Sequence, residues 1–347
     1  MNIEDLSLIV IPRERFSMAR ESLESLYANS PPGFRLIYVD GNAPREVRDY
    51  LRGAQIARGF ELIRSEHYLS NNRARNLGLA RVQTSFVVLV DNDLIFAPGW
   101  LQALMRCADE TAADVVAPLI CEGYPAHTTM HYAGGEYVPA DELEAFHGDQ
   151  SGQRELREKQ FGLKQPLAQW RERLQRGATG FCEPHCMLAR MSLLRRLGPP
   201  PFDEAMLATK EHLDFCMSVR ALGGSIVFEP ASMVTFMLPC PARPLRPTDL
   251  PFYFLRWSDD WQHRSLDHFR RKWRLGKTDF RTRYLGSGYR RDDLVRVYLR
   301  KLPLIGRYRG AVELCVRALR KLEKFLNRRY TTWYRWRHGA HSTVTPV

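Results

Sequence analysis

The stretch Phe86-Val87-Val88-Leu89-Val90-Asp91-Asn92-Asp93 decides the fold. Its five leading residues are all apolar, without the polar alternation of a half-exposed strand, so the segment reads as a strand covered on both faces. It ends abruptly in three hydrogen-bonding side chains. Upstream, Leu6–Ile11 is a similar run halted by Pro12, Leu36–Val39 is stopped by Asp40-Gly41-Asn42, and a third strand lies near Glu61–Arg64. Helical spacing separates them over Ser17–Tyr27, Arg45–Gln55 and Asn72–Arg81. Downstream, Pro98 fits the first turn of another helix, and Val115-Val116-Ala117 continues the series. Strand–helix alternation with doubly buried strands predicts an α/β, Rossmann-like, doubly wound and mostly parallel sheet.

From Cys121 to Gly177 the pattern weakens. His131–Gly135 reads as a turn and 150–176 as polar and partly helical, the place for a binding loop. Regular structure resumes over Cys186–Leu197, in a helix over Glu211–Leu222 ended by Gly223-Gly224, and in a strand over Ile226–Phe228. Prolines 239, 241, 244, 247 and 251 mark a boundary. The expected division is 1–240, with halves meeting near 120, followed by a basic, aromatic, largely helical extension over 241–347.

Charge follows that division. Residues 1–240 carry 25 Lys/Arg against 30 Asp/Glu, whereas 241–347 carry 26 against 9, a net +17 within a total of +12. The extension therefore calls for an anionic partner: a membrane surface, nucleic acid or the acidic body itself. At 44% hydrophobic and 26% charged the chain is neither disordered nor fibrous. Its seven cysteines form no C-x-x-C pair, and the acidic start Met1–Asp5 is not a leader, so reduced thiols in a cytoplasmic protein are expected.

In an open parallel sheet, ligands bind beyond the carboxyl ends of the strands. Three such ends carry polar groups here: Pro12-Arg13-Glu14, Asp40, and Asp91-Asn92-Asp93. Two carboxylates two residues apart suit one hard divalent cation, Mn²⁺ or Mg²⁺, shared with phosphates; the structural alternative is a turn that favours Asp and Asn. Arg73 and Arg75 open the helix between the third and fourth strands and can engage diphosphate, or form a solvated face.

Taken in order, Leu8–Pro12, Val39-Asp40, Ala74-Arg75-Asn76-Leu77-Gly78 and Val90–Asp93 resemble the family 2 glycosyltransferases of GT-A fold. Phe202-Asp203-Glu204, Lys210–Phe215 and Arg220–Gly224 resemble that family's acceptor-side segment. The resemblance spans roughly 5–240 and implies transfer of a sugar, with inversion, from a nucleotide-sugar donor, most readily a UDP-sugar, to a glycan, lipid-linked or protein acceptor. It assigns Pro12, Glu14 and Asp40 to the nucleoside, Arg75 and Asn76 to the ribose or diphosphate, and Asp91 and Asp93 to the metal-diphosphate; Arg73, Asn92 and Asp91 are counted with them as donor-binding residues. Departures stand out: Gly41 replaces a second Asp, the Glu-Asp acceptor motif reads Glu211-His212, and Thr235-Phe236 stand where a late metal-binding His is expected.

Inversion needs a base for the acceptor hydroxyl. Glu211 is the expected base, with His212 its competitor and Asp214 orienting the helix or binding acceptor. Glu183 and His185 form another acceptor-side cluster, in which His185 substitutes for the missing metal ligand or is a satisfied core histidine. In the extension, 311–326 is amphipathic, with Val312, Val316, Leu319, Leu322 and Leu326 in one stripe beside Arg317, Arg320, Lys321 and Lys324. It fits docking at the inner face of an anionic membrane, or packing on the body. Two other functions compete with glycosyl transfer: a catalytically silent binding subunit of the same fold, and a nucleic-acid binder using the basic extension, the less favoured of the two.

Overall fold

A computed structural model describes residues 1–138, 157–240, 243–275 and 288–338. The strand β1 (Leu6–Ile11) is buried along its whole length, and α1 (Ala19–Ala28) follows. Next come β2 (Arg35–Gly41), α2 (Arg45–Arg58), β3 (Glu61–Ser65), α3 (Asn71–Leu79) and β4 (Phe86–Asp91). Parallel ladders join β3 to β2, β2 to β1 and β1 to β4, which brings Ile11 level with Asp91. The unbroken apolar runs therefore became the parallel centre of the sheet, for the reason the pattern implied: both faces are covered.

The second half adds antiparallel strands. After β5 (Leu94–Phe96), α4 (Trp100–Thr111) and β6 (Val115–Glu122), the chain makes β7 (Met130–Tyr132) and the hairpin of β8 (Gly135–Val138) with β9 (Arg157–Gln160). The short β10 (Gly177–Ala178) precedes β11 (Cys186–Arg190), which inserts antiparallel between β4 and β6. Then α5 (Met191–Leu197) and α6 (Glu211–Ala221) lead into β12 (Ile226–Phe236), parallel to β6. The order is β10-β12-β6-β11-β4-β1-β2-β3, with β5 added to β12 and β7 to β6.

Several local expectations are corrected. The α4 helix begins at Trp100, after Gly99 at φ +76°, so Pro98 lies ahead of the helix rather than inside its first turn. His131–Gly135 is two strand ends around Ala133-Gly134, with only Gly134 in a left-handed conformation, at φ +89°. In 150–176, residues 150–156 lie outside the described residues; the remainder forms β9 and two single 3₁₀ turns, Leu167–Gln169 and Arg171–Arg173, instead of a helix. The β12 strand runs eight residues past Phe228. Its pairing with β6 shifts between Glu229 and Met233, so the irregular stretch around Pro230 does not end it.

The extension is helical: α7 (Leu250–Arg256), α8 (Asp259–Lys272), α9 (Gly288–Leu299) and α10 (Arg309–His338). It is fastened to the body. Asp249 accepts from the Ser17 amide (2.9 Å) and hydroxyl (2.6 Å), Phe252 packs against Phe16 and Tyr68, and the Tyr68 amide donates to Tyr334 Oη. Of the α10 stripe, Val312 and Val316 are buried beside Leu299, while Leu319, Leu322 and Leu326 stay largely exposed. Among the described residues no helix is long and apolar enough to cross a membrane.

One close approach holds α3 on β1: a Cβ added at Gly78 would lie 2.5 Å from Ile9 Cγ2. Gly78→Ala is expected to lower the unfolding free energy by about 1–3 kcal/mol through overpacking, read as a reduced urea midpoint at unchanged slope.

Candidate active site

The carboxyl ends of β1 and β4 meet the amino end of β11. The Asn92 amide donates to Ile11 O, the Asp91 amide to His185 O, and Asn92 Oδ1 accepts from the Arg13 amide at 2.9 Å. Asn92 thus sets the path of the chain leaving β1, which aims Arg13 across the sheet edge. Asp91 Oδ2 accepts from Arg13 Nη1 and from His185 Nδ1, both at 2.9 Å.

From there a chain of alternating charges runs through the interior. Arg13 Nε lies 3.1 Å from Glu14 Oε2, Glu14 Oε2 lies 3.1 Å from Arg256 Nε, and Arg256 Nη2 donates to Glu211 Oε1 at 3.3 Å. Asp91, Arg13, Glu14, Arg256 and Glu211 are all at most 5% exposed. Burial alone would lift the carboxyls of Glu14 and Glu211. Arg13 and Arg256 overcome this at Glu14, and Arg256 leads in overcoming it at Glu211, so both sit below the ordinary glutamate range.

Beside this chain opens a cavity of about 680 Å³. The body lines it with Arg13, Glu183, His185, Glu211 and His212, and the extension with Arg256, Arg290, Arg296 and Arg300. The extension, for which an anionic partner and packing on the body were both open, is thereby a wall of the cavity. Over His212, burial pulls the imidazole pKa down, but Glu183 and Glu158 outweigh it and lift it to about 9. Lys210 pairs with the same Glu158, whose carboxyl is held well below its usual range.

Other expected residues lie apart from the cavity. Asp40 accepts from the Ala43 amide (2.7 Å) and pairs with Arg64, with Pro12 packed on Gly41; a Cβ there would come 2.7 Å from Pro12 Cγ, which explains why a second Asp is missing. Arg75 is buried, donating to Asn72 and to Pro184 O and standing 3.9 Å from Asp91 Oδ1. Asn76 ties α3 to the backbone of Phe202. Arg73 lines a separate cavity of about 310 Å³ with Tyr68, Trp261 and Tyr334. Asp214 is held by Lys272 and Trp273, each at 2.8 Å.

The aspartate pair does not line the cavity. Arg13 and His185 stand on Asp91, and both carboxylate oxygens of Asp93 are buried without a partner. Burial pushes the Asp93 carboxyl up to about 8. Among the described residues, the group of three metal-ligating side chains whose ligand atoms come within 4.8 Å of one another is His131, Glu183 and His185. Two imidazoles and a carboxylate form a donor set that divalent transition metals accept, so these residues fit a cation. Of the three, His131 was not anticipated, nor were Arg13 and Arg256 as site residues.

The sequence profile of glycosyl transferase family 2 matches residues 7–198. The chain belongs to that family. Its sheet, with the site at the carboxyl ends of β1 and β4, is the GT-A fold. The pre-mycofactocin glycosyltransferase of Mycobacterium tuberculosis, in strains CDC 1551 and H37Rv, is 28% identical over 233 residues, covering 66% of this chain and 42% of that relative. The chain therefore spans under half the length of the curated relatives it matches. In fold it is similar to GalNAc-T7, solved with UDP, GalNAc and Mn²⁺, at TM-score 0.50 and 14% identity over 86% of this chain and 58% of that one. The mannosyltransferase PcManGT of Pyrobaculum calidifontis, solved with GDP-Man and Mn²⁺, aligns over 96% of this chain and 84% of its own at 14% identity and TM-score 0.49.

Arg256, like Glu211, is a link in this family 2 site that lies beyond the matched span. Arg256→Met leaves Glu14 without one of its two guanidinium partners and Glu211 without its hydrogen-bonded one. The expected loss is about 3–5 kcal/mol at pH 7. Both carboxyls are depressed in the folded state, so the stability they lend exists above the unfolded glutamate pKa and fades as pH falls. The deficit of the variant should accordingly shrink on acidification, as read by denaturation at pH 7 and pH 4.

Proposed function

We propose that this chain transfers a sugar from a nucleoside-diphosphate donor to an acceptor hydroxyl with inversion, Glu211 taking the hydroxyl proton. The observation that carries this reading is the place of Glu211: on the cavity wall, with Arg256 Nη2 donating to its carboxylate at 3.3 Å, a contact that favours the ionised form. A base must be unprotonated when the acceptor arrives. His212, held as a cation by Glu183 and Glu158, is unsuited to that task and suited to facing a diphosphate. Family membership supports the reaction class. UDP is the nucleotide favoured by the resemblance, and GalNAc-T7 was solved with it.

The leaving diphosphate gains negative charge as the glycosidic bond breaks. Arg13, His212, Lys210 and the arginines of the extension supply fixed positive charge around the cavity without any reorganisation. A divalent cation, when bound, adds to that charge stabilisation. The division at residue 240 then separates a catalytic body from an extension that completes the acceptor side.

A lipid-linked or polymeric acceptor at an anionic membrane is the partner this reading favours. The exposed side of α10 carries Leu314, Leu322, Phe325, Leu326, Trp333 and Trp336 among arginines and lysines, the composition of a helix lying in a lipid interface. The protein should float with vesicles containing phosphatidylglycerol and not with phosphatidylcholine alone. Equal recovery with both, or loss-free flotation of a Leu326→Ser/Trp336→Ser variant, refutes the docking.

Glu211→Gln should retain donor binding by calorimetry and lose about 10²–10⁴-fold in kcat. The kcat/KM profile should fall on the acid side as Glu211 protonates, below the ordinary glutamate range. It should fall again above about pH 9 as His212 loses its proton. Wild-type kcat in the Gln variant removes Glu211 as base, and donor binding with no turnover by the native protein favours a silent binding subunit.

A further inference from the structure

We propose that the divalent cation of this protein is seated on His131, Glu183 and His185, and that the Arg13 guanidinium occupies the charge-neutralising position at Asp91 where a metal would otherwise be expected. This rests on the metal-assisted reading above and names the seat within it.

Three observations carry it. The first is what surrounds the aspartates. Asp91 Oδ2 is already engaged by Arg13 and His185, and the guanidinium is further held by Glu14 and lies 5.2 Å from the Phe236 ring centroid. A fixed cation on a buried carboxylate leaves little reason for a second one there.

The second is the tautomer of the two histidines. His131 Nδ1 meets Glu122 Oε2 at 2.6 Å and His185 Nδ1 meets Asp91 Oδ2 at 2.9 Å. Nδ1 of His185 also lies 2.9 Å from Arg13 Nη1, which can only donate, so the proton is assigned to Nδ1 on the strength of the Asp91 carboxylate, which can only accept. Each ring then keeps its Nε2 lone pair free. Carboxylates that accept from the far nitrogen of a histidine orient the ring and raise its basicity, the usual backing of a metal-bound imidazole. Glu183 is likewise fixed, with Oε1 accepting from Gln160 at 2.7 Å and its other oxygen left over.

The third is the scaffold. His185 stacks on Phe236 at 4.2 Å between centroids, and His131 meets both rings edge-on at 5.1 and 5.4 Å. Phe236 thus builds the seat, in the Thr235-Phe236 pair that stands where the family resemblance places a late histidine. All three ligands line the cavity, which gives an ion access. Tetrahedral bonds of about 2.1 Å place ligand atoms ~3.4 Å apart, so ligand atoms no more than 4.8 Å apart need close by at most about 1.4 Å, within reach of side-chain rotation.

The test is Mn²⁺ binding by the metal-stripped, donor-free protein, measured by calorimetry and by pulsed EPR for nitrogen couplings to the bound ion. One Mn²⁺ with ¹⁴N couplings is expected, and Mg²⁺ should bind at least about tenfold more weakly, because imidazole favours transition metals. His131→Ala and Glu183→Gln should abolish the binding, and Glu122→Gln should weaken it about 10–100-fold. Asp93→Asn should leave it within about twofold. His131 and Glu183 reach the cavity surface, so these two variants keep the test valid even if His185→Ala fails to fold. Absence of Mn²⁺ binding to the native protein, binding without nitrogen couplings, or binding lost in Asp93→Asn but kept in His131→Ala each overturns the seat. Sugar transfer by a protein that binds no Mn²⁺ sinks the seat and leaves the transferase reading standing; histidine-bound Mn²⁺ without transfer does the reverse.

Discussion

The buried line of charge from Asp91 through Arg13, Glu14 and Arg256 to Glu211 is the constraint on which the rest of the molecule depends. Removing a carboxylate or guanidinium from water costs several kcal/mol per group, and only a close opposite charge offsets it. Each member of the line has such a neighbour, so none can be moved independently. Because Asp91 ends β4, Glu14 follows the neighbouring β1, Glu211 opens α6, and Arg256 ends α7, the line fixes the extension, α6 and the sheet edge in one arrangement.

That arrangement also decides what the cavity can do. Arg256 holds one oxygen of Glu211 while the carboxylate faces the cavity, and the pull of Glu183 and Glu158 keeps His212 charged one residue away. Adjacent residues on one helical turn are driven to opposite charge states by different neighbours. An anion and a cation then stand side by side at neutral pH: His212 needs its acidic neighbours to stay charged, and Glu211 needs Arg256 to offset burial.

The two halves of the molecule were unequally legible. The strands Leu6–Ile11 and Phe86–Asp91 stand out because doubly buried strands exclude polar residues along their length. The end of β12 was hidden because Glu229 and Pro230 break that pattern within the strand, where a bulge absorbs them. Around the cavity and the buried charges, Glu183, His185, Glu211 and His212 drew notice by residue type, and Asp91 by motif order, as candidates. Arg13, His131, Glu122 and Arg256 did not: one arginine in a basic chain, or one histidine near a turn, carries no mark of the partner it meets after folding.

By itself the sequence determined an α/β sheet with polar strand ends, family 2 motifs in order, and a basic helical extension, because apolar periodicity and short motifs are local properties of the chain. Only the tertiary structure decided that Arg13 stands on Asp91, that Arg256 joins Glu14 to Glu211, and that the extension walls the cavity. Those pairings join residues from 45 to more than 240 positions apart, and electrostatics acts through distance in space, which no spacing along a chain records.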